Sequence, residues 1–352
     1  SAERLGGISH LVGKERKPVD EAVAGDIIAV AKLRDTATFD TLCKPDYVVS
    51  YPPVELPEPT TAFAIGAKAR GEEEKVFEAI KRVIDEDPSL RLERSEDTGE
   101  DILAGLAQLH VELALERVRR RYGVEAEARA PKVPLKETIA GTAQAQGRYK
   151  KQTGGRGQFG DARIEISPLP RGAGFEFEDA IVGGAIPRQF IPAVEKGILE
   201  AMREGPIAGY PVVDVKVRLY DGQYHSVDSS EAAFKVAGSM AFKNAVEKAN
   251  PVLLEPYVKV EILAPAELVG DIMGDLSGRR GRPMGIEQRG ERQVIRAEVP
   301  QIEMLTYARD LRAITGGRAN FHVEPGHYEE VPPNLVERVL AANEREEEKA
   351  AS

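Results

Sequence analysis

Tryptophan is absent from the 352-residue sequence, cysteine occurs once, as Cys43, and no apolar run approaches the roughly 18 residues that would cross a bilayer. A single cysteine excludes an intrachain disulfide framework and is typical of a reducing compartment. The first residues also lack the charged-then-apolar arrangement of a signal peptide. We therefore expect a soluble, cytoplasmic, monomeric protein without a membrane partner.

The usual signatures of nucleotide-binding and catalytic sites are missing too. The sequence contains no G-x-x-x-x-G-K-[ST] phosphate loop, no H-E-x-x-H metal motif and no G-x-S-x-G nucleophile motif. Its five histidines lie in separate segments without metal-ligand spacing. The sequence thus predicts no catalytic residue, no metal and no cofactor in this chain, and it excludes triphosphate hydrolysis through a phosphate loop here.

Length and charge distribution indicate several domains with different surfaces. A chain of 352 residues exceeds what one hydrophobic core usually organises, which favours roughly two to four domains. The net charge of −10 lowers the expectation of a nucleic-acid partner, but the charge is uneven. Residues 132–250 carry 16 basic and 14 acidic side chains, whereas residues 1–57, 58–131 and 251–352 are each net acidic.

Hydrophobic periodicity predicts two domains with the same α+β order of strands and helices. Residues 58–131 have the pattern of strand, helix, two strands, helix and strand, the order of a split βαβ or ferredoxin-like domain. Leu106, Leu109 and Leu113 mark its second helix, which we expect to end at Gly123. Residues 251–352 repeat the plan and end in a charged helix. Predicted helices span residues 72–86, 267–276, 301–312 and 333–349, and predicted strands include 61–67, 258–262, 283–288 and 292–299.

The other two segments differ from this plan. Residues 132–250 predict a mixed α/β domain with helices near 189–203 and 229–248. Residues 1–57 contain strand-like runs at 27–31 and 36–42, too few to close a barrel, so we expect the chain to begin partway through a β domain. Five prolines between residues 45 and 59 indicate a linker.

Residues 148–160 form the most unusual local sequence, with four cations, four glycines and no acid between strand-like flanks. Glycine lets backbone N–H groups approach a ligand, and Lys, Arg, Gln and Thr donate hydrogen bonds to phosphate and sugar oxygens. We favour contact with a polynucleotide backbone. The alternative is a hairpin turn that needs glycine only for its conformation and cations only for solubility.

Residues 220–231 form a second candidate site, with a strand end, an Asp-Gly turn and a helix start. Asp228 or Ser229 is predicted to be the N-cap of that helix, and Glu231 completes a capping-box arrangement with Asp228. His225 at the loop tip can donate, stack or titrate, and it gains functional interest if it lies beside the first loop. An ordinary surface histidine is the alternative.

A third candidate is residues 278–282, where Arg279, Arg280 and Arg282 follow a predicted helix. Positive charge is favourable at the C-terminal end of a helix dipole. Helix capping and contact with RNA are therefore equally good interpretations of these arginines.

At these loops the sequence resembles the translation elongation factor G family, over about Arg4 to Val339. The resemblance implies the end of a β-barrel domain II with its linker over residues 1–57, a ferredoxin-like domain III over 58–131, an elongated domain IV of ribosomal-protein S5-like type over 132–250, and a ferredoxin-like domain V with a C-terminal helix over 251–352. The motifs that carry it are Gln152-Thr153-Gly154-Gly155-Arg156-Gly157-Gln158, Val182-Gly183-Gly184-Ala185-Ile186-Pro187, Tyr224-His225 with Val227-Asp228-Ser229-Ser230-Glu231, Leu254-Glu255-Pro256, Gly278-Arg279-Arg280-Gly281 and His327-Tyr328-Glu329-Glu330-Val331-Pro332.

The resemblance also implies partners and roles. The ribosome is the implied partner, together with the protein's own GTPase domain, which would carry GTP and Mg²⁺ outside this chain, so that we expect this chain to be the C-terminal part of a longer protein. Any GTP hydrolysis would belong to that domain. The implied contacts with transfer RNA and messenger RNA are Lys150, Lys151, Gln152, Thr153, Gly154, Gly155, Arg156, Gly157, Gln158, His225, Ser226, Asp228 and Ser229, and the implied ribosomal RNA contacts are Arg279, Arg280 and Arg282.

Three functional hypotheses stay open at this point. The first is the ribosome-binding half of a translational GTPase that promotes translocation. The second is a divergent elongation factor G-like paralogue that acts in recycling or regulation without efficient translocation. It is suggested by Phe39 where the family usually has glycine, by the unusual residues 46–53, and by Ser226 in place of a common glutamate. The third is a freestanding RNA-binding protein.

Overall fold

The computed structural model of the chain describes residues 2–152 and 157–351, with side chains as far as Asn343. It is a mixed α/β structure with several sheets. By the density of its internal contacts the chain divides into two units. The first comprises Ser1–Pro59, Gly66–Leu92 and Ala104–Glu127, and the second comprises Thr60–Ile65, Glu93–Leu103 and Ala128–Ser352.

The bounds of the regular elements are as follows. The strands are β1 (Ile8–Val12), β2 (Glu15–Val19), β3 (Ala29–Val30), β4 (Thr61–Ala67), β5 (Arg91–Arg94), β6 (Asp101–Gly105), β7 (Ala126–Arg129), β8 (Lys136–Ile139), β9 (Ala143–Lys151), β10 (Gln158–Pro168), β11 (Phe175–Asp179), β12 (Val215–Gln223), β13 (Pro251–Pro265), β14 (Arg282–Arg289), β15 (Arg292–Pro300) and β16 (Asn320–Glu330). The helices are α1 (Glu73–Glu86), α2 (Gln108–Tyr122), α3 (Ile191–Ala201), α4 (Glu231–Lys248), α5 (Val269–Gly278), α6 (Gln301–Met304), α7 (Tyr307–Thr315) and α8 (Val336–Ala351).

The N-terminal β structure differs from the prediction. It is a small sheet in the order β2-β1-β3, with Ile8 paired to both Val19 and Val30. The strand expected at 27–31 is present but shorter, as β3, whereas residues 36–42 form no strand, so the prediction at 36–42 is wrong. The apolar run at 27–31 suggests a longer strand than the structure has, since Ile27 is exposed. Strand β2 is not predicted because its charged sequence lacks apolar alternation.

Helices α1 and α2 each bury one face, but in α2 two of the leucines that predicted the helix do not lie on it. In α1, Val76, Ala79, Ile80 and Val83 are buried at helical spacing. In α2 the buried residues are Val111, Ala114 and Val118, whereas Leu109 and Leu113 are exposed. The predicted end of α2 is correct, because Gly123 adopts the left-handed conformation with φ 69° that glycine tolerates best.

Two sheets share one strand order. The order is β5-β6-β4-β7 in the first sheet and β14-β15-β13-β16 in the second, with β8 additionally paired to β13. The helix predicted at 301–312 is divided into α6 and α7. The division allows Tyr307, at the start of α7, to be fully buried with its ring edge-on to Phe321 at 5.2 Å.

The segment that positions the candidate site is a sheet in the order β11-β12-β10-β9, with α4 packed on β9 and β10 and with α3 packed against α4. Both helices begin two residues later than predicted, and Val236 and Met240 of α4 are partly exposed. The core of this segment is apolar. Its members include Ile164, Ile166, Val194, Ile198, Val217, Leu219, Phe234, Ala237 and Phe242.

The base of this segment is joined to the C-terminal sheet within the second unit. Residues Pro251–Leu254 of β13 pair antiparallel with β8. The Val133 N–H donates to Asn343 Oδ1 at 2.9 Å, and Asn343 Nδ2 donates back to the Val133 carbonyl at 3.2 Å. Tyr328 Oη donates to the Pro134 carbonyl at 2.9 Å. Backbone pairing and buried hydrogen bonds thus fix residues 133–139 to the C-terminal sheet and helix.

Candidate nucleic-acid interface

The first candidate loop connects the antiparallel strands β9 and β10. Lys151 is paired with Gln158 and Lys150 with Phe159, so both lysines lie at the end of the hairpin. Both side chains are exposed, and among the described residues neither forms an ion pair with a carboxylate. Gln152 is exposed as well, whereas the predicted contacts Thr153, Gly154, Gly155 and Arg156 lie outside the described residues.

Close packing against α4 supports this hairpin. A Cβ atom on Gly147 would lie 2.0 Å from the Ala237 carbonyl oxygen, and one on Gly160 would lie 2.7 Å from the Ala233 carbonyl oxygen. Only glycine at these two positions allows the hairpin backbone to cross the helix backbone at this distance. The glycines of this segment therefore serve packing as well as the loop itself.

The second candidate loop, residues 224–230, joins β12 to α4. Its start lies beside the hairpin because Gln223 of β12 is paired with Asp161 of β10. The N-cap of α4 is Ser230, whose backbone is extended and whose side-chain oxygen accepts the Ala233 N–H at 3.2 Å. The prediction of Asp228 or Ser229 as N-cap, with a capping box to Glu231, is therefore wrong.

Asp228 and Ser229 instead join the two loops. The Phe159 N–H donates to the Asp228 carbonyl at 2.8 Å, and the Gly157 N–H donates to Asp228 Oδ1 at 3.1 Å. Ser229 Oγ donates to the Phe159 carbonyl at 3.0 Å and accepts the His225 N–H at 2.8 Å. We call residues 148–152, 157–160 and 224–230 together the tip.

His225 lies next to the hairpin, its ring edge-on to Phe159 at a centroid distance of 6.4 Å, and its side chain is 55% exposed. The N–H groups of Val227 and Asp228 point to His225 Nδ1 at 3.3 and 3.2 Å, and Asp228 Oδ2 lies 3.3 Å from the same atom. In a neutral ring, Nδ1 accepts these N–H groups and Nε2 carries the proton. In a protonated ring, Nδ1 donates to Asp228 instead.

Three exposed side chains of the tip were not among the predicted contacts. Tyr224 and Val227 flank His225 and are exposed. Arg148 lies with its guanidinium 5.7 Å from the centre of the Phe159 ring and its Nε 3.8 Å from the buried Asp161 carboxylate. The sequence signal for Arg148 was its position just before the two lysines, and the signal for Tyr224 was its place beside a loop histidine.

Residues 278–282, which we call the arginine loop, lie at the C-terminal end of α5. The first two arginines of this loop form ion pairs and hydrogen bonds with other residues of the protein. The Arg279 side chain is 15% exposed, pairs with Asp275 and Asp310 at 2.8 Å each, and donates to the Glu303 carbonyl at 2.7 Å. Burial opposes the charged form of Arg279, but its carboxylate partners outweigh burial and raise the pKa of the guanidinium.

Arg280 and Arg282 differ in exposure. Arg280 is 19% exposed and binds both oxygens of Glu255, a carboxylate that is itself only 1% exposed, as well as Glu303. Arg282 is 56% exposed, although it donates to both oxygens of Glu329 at 2.7 Å and its guanidinium lies 5.1 Å from the Tyr257 ring centre. The geometry favours the structural interpretation for Arg279 and Arg280 and leaves Arg282 accessible to a ligand.

Two further observations concern the described part of the chain. No group of three or more His, Cys, Asp or Glu side chains there is arranged to hold a metal ion. The helices found there are too short or too polar for one of them to span a membrane.

Comparison with known proteins relates these features to one class. Family models for elongation factor G match three successive parts of the chain: domain III at residues 56–130, domain IV at 131–250 and the C-terminus at 252–339. The tip lies within the match to domain IV and the arginine loop within the match to the C-terminus. The three matched parts are all domains of one translation elongation factor family.

The chain belongs to the elongation factor G family. A crystal structure of the protein ttk003000868 from Thermus thermophilus is similar to it at 42% sequence identity and a TM-score of 0.80. The similarity covers 96% of this chain and 51% of that one, so this chain spans about half the length of the solved structure that it matches.

Proposed function

We propose that this chain is the ribosome-binding half of a translational GTPase that promotes the movement of transfer RNA and messenger RNA during elongation. The observation that carries the proposal is the tip. Two exposed lysines lie at the end of a hairpin that is hydrogen-bonded to the His225 loop. Cations of this kind bind nucleic acid by neutralising phosphates. The tip would contact transfer RNA and messenger RNA at the decoding site.

The proposed domain boundaries follow the same family. Residues 1–57 would be the end of a β-barrel domain II with its linker, 58–131 domain III, 132–250 domain IV and 251–352 domain V. The shared strand order of two sheets, with the first and third strands at the centre, supports a ferredoxin-like arrangement for domains III and V. The small sheet β2-β1-β3 supports the barrel assignment less strongly, because three short strands are compatible with many β folds.

The arginine loop is proposed to contact ribosomal RNA through Arg282, with Arg279 and Arg280 holding the loop in place. GTP and Mg²⁺ would be bound by the GTPase domain of the longer polypeptide, because the present residues offer no phosphate loop. We propose that the chain acts in the cytoplasm, as a monomer together with that domain.

Directed probing from a single cysteine tests where the tip lies on the ribosome. Ser226 is exposed at the tip, so a Ser226→Cys variant with the exposed Cys43 changed to Ser can carry an iron chelate that generates hydroxyl radicals. We expect cleavage of small-subunit RNA at the decoding site. The matched control is Lys248→Cys at the other end of α4, roughly 27 Å away by helix rise, which should give a different pattern. Cleavage confined to other RNA would overturn the proposal.

The alternative is a ribosome-associated relative that acts in recycling or regulation. Two departures favour it: Phe39, which has φ 74° in the left-handed region where the family usually has glycine, and the uncharged Ser226 at the exposed tip. The two functions separate in one assay. If the polypeptide that joins this chain to its GTPase domain binds ribosomes yet produces no GTP-dependent movement of messenger RNA, the alternative is correct.

A further inference from the structure

Asp228 and Ser229 belong to the tip, but their polar atoms face the protein. Asp228 is only 22% exposed at its side chain. One carboxylate oxygen accepts the Gly157 N–H, and the other lies 3.3 Å from His225 Nδ1. The Ser229 hydroxyl is occupied in the same way, since it donates to the Phe159 carbonyl and accepts the His225 N–H. The Ser229 hydroxyl thus has its one donor occupied, and the Asp228 carboxylate is largely turned towards the protein.

Charge leads to the same conclusion. An aspartate beside a phosphate backbone repels it, so a carboxylate is a poor choice for direct contact with RNA phosphates. The same carboxylate is well suited to accept a backbone N–H, because hydrogen bonds to a charged acceptor are shorter and stronger than neutral ones. Asp228 therefore lowers the net charge of the tip while fixing its geometry.

Gly157 provides an independent sign that this contact is close. A Cβ atom at Gly157 would lie 2.9 Å from Asp228 Cγ, closer than real Cβ atoms approach other carbons. An alanine there would push the carboxylate aside without removing it. Gly157 directly precedes β10, which begins with Gln158, so the contact fixes the point at which the chain re-enters the hairpin from the basic loop.

We propose that Asp228 and Ser229 are positioning residues that clamp the start of β10 to the His225 loop, and that they do not themselves contact RNA. The clamp consists of the Gly157–Asp228, Phe159–Asp228 and Phe159–Ser229 hydrogen bonds. It holds Lys150 and Lys151, which pair with β10, in a constant relation to the His225 ring. This inference refines the proposed function, because it rests on the tip being the RNA-binding surface.

Tryptic cleavage after Lys151 tests the clamp without any ribosome. Asp228→Ala removes the Gly157–Asp228 hydrogen bond and leaves the backbone Phe159–Asp228 bond in place, so Gly157 is released and we expect cleavage about tenfold faster than in the wild-type chain. Asp228→Asn keeps an oxygen acceptor for the Gly157 N–H and should be cleaved at nearly the wild-type rate. Gly157→Ala should resemble Asp228→Ala, and the double variant should be no faster than either single variant, because all three lose the same contact.

The matched control is Asp221→Ala, which removes an aspartate of the same sheet that pairs with Arg163 at 2.7 Å outside the clamp. It should leave cleavage after Lys151 unchanged. Thermal unfolding of each variant, followed by circular dichroism, separates local opening from loss of the fold. An Asp228→Ala chain that resists trypsin as well as the wild type, or an Asp228→Asn chain cleaved as fast as Asp228→Ala, would overturn the clamp.

Ribosome binding by the same variants separates a positioning role from direct contact. A positioning role predicts that Asp228→Ala weakens binding about tenfold while Asp228→Asn binds at least as well as the wild type. Equal losses in both variants would show that the carboxylate itself touches RNA, and the proposal would be wrong. Failure of the wild-type chain to bind ribosomes would contradict the proposed function, while the tryptic result would still decide the clamp.

Discussion

Residues 148–160 and 278–282 look alike in sequence, but the cations that the structure describes in them have opposite surroundings. Both are short, glycine-containing and rich in cations. At the tip, Lys150 and Lys151 project from the end of a hairpin, with no carboxylate partner among the described residues. In the arginine loop, Arg279 and Arg280 are largely buried among acidic partners. The charge of a basic motif is thus available to a ligand only where the fold leaves it uncompensated.

The difference lies in residues distant in sequence. The acidic partners of the arginine loop include residues of β13, α6, α7 and β16, and the most distant, Glu329, is 47 positions away from Arg282. The hairpin of the tip instead packs its backbone on the backbone of α4, which presents small residues and no acid at the two close approaches. The arginines of one loop are neutralised by acidic partners within the fold, whereas Lys150 and Lys151 of the other have no carboxylate partner among the described residues.

The largest effect that sharpens this comparison is on stability. Arg280→Ala leaves the almost fully buried Glu255 without its bidentate partner, and loss of one member of a buried ion pair costs about 3 kcal/mol or more. We expect the free energy of unfolding, measured by urea denaturation, to fall by about that amount. Lys150→Ala should change it by less than about 0.5 kcal/mol. Equal small effects of both substitutions would erase the distinction between the loops.

Low pH should also lower the free energy of unfolding through the ion pairs of the arginine loop. Burial would raise the pKa of the Asp310 carboxyl, but hydrogen bonds from Arg279 and Thr306 outweigh burial and hold that pKa below its usual range. A carboxyl with a lowered pKa stabilises the folded state above its unfolded pKa and loses that contribution as the pH falls through its folded pKa. We expect the free energy of unfolding to decrease below about pH 4, less steeply in Asp310→Asn than in the wild type. Identical pH profiles would contradict this assignment.

The two loops differ in how much of their structure the sequence alone predicts. The acid-free stretch at 148–160 and the helix that follows residue 228 could be recognised because their properties depend on neighbouring residues. The burial of Arg279 and Arg280 could not be, since Glu255 and Asp310 are 25 and 31 positions away. The spacing between Asp228 and Glu231 fits a capping box and predicts Asp228 or Ser229 as the helix cap, yet the structure gives the cap to Ser230. A tertiary contact with Gly157 takes Asp228 instead.

Some features of the helices and strands likewise depend on local sequence, and others depend on tertiary contacts. The strand at Thr61–Ala67 and the glycine end of α2 follow from local pattern. The exposure of Leu109 and Leu113 depends on which face of α2 meets the rest of the chain, and periodicity alone leaves that choice open. The site was therefore recognisable as two loops, while their hydrogen-bonded connection required the three-dimensional structure.

The smallest expected effect concerns which ring nitrogen of His225 carries the proton. Because two backbone N–H groups point to Nδ1, the neutral ring should carry its proton on Nε2 and act there as a hydrogen-bond donor. Nitrogen-15 spectra of histidine-labelled chain at about pH 8 report the tautomer, and His225→Gln identifies the signal among five histidines. A proton on Nδ1 at that pH would indicate pairing with Asp228 and would contradict the donor role.

The most direct test of the central claim is the salt dependence of ribosome binding. If Lys150 and Lys151 meet RNA phosphates, Lys150→Gln/Lys151→Gln should reduce the slope of log affinity against log salt by about one to two units. Lys243→Gln/Lys248→Gln, with the same change of charge in the last turns of α4, should leave the slope unchanged. The account predicts this difference between the pairs, and an unchanged slope in the tip variant would contradict it.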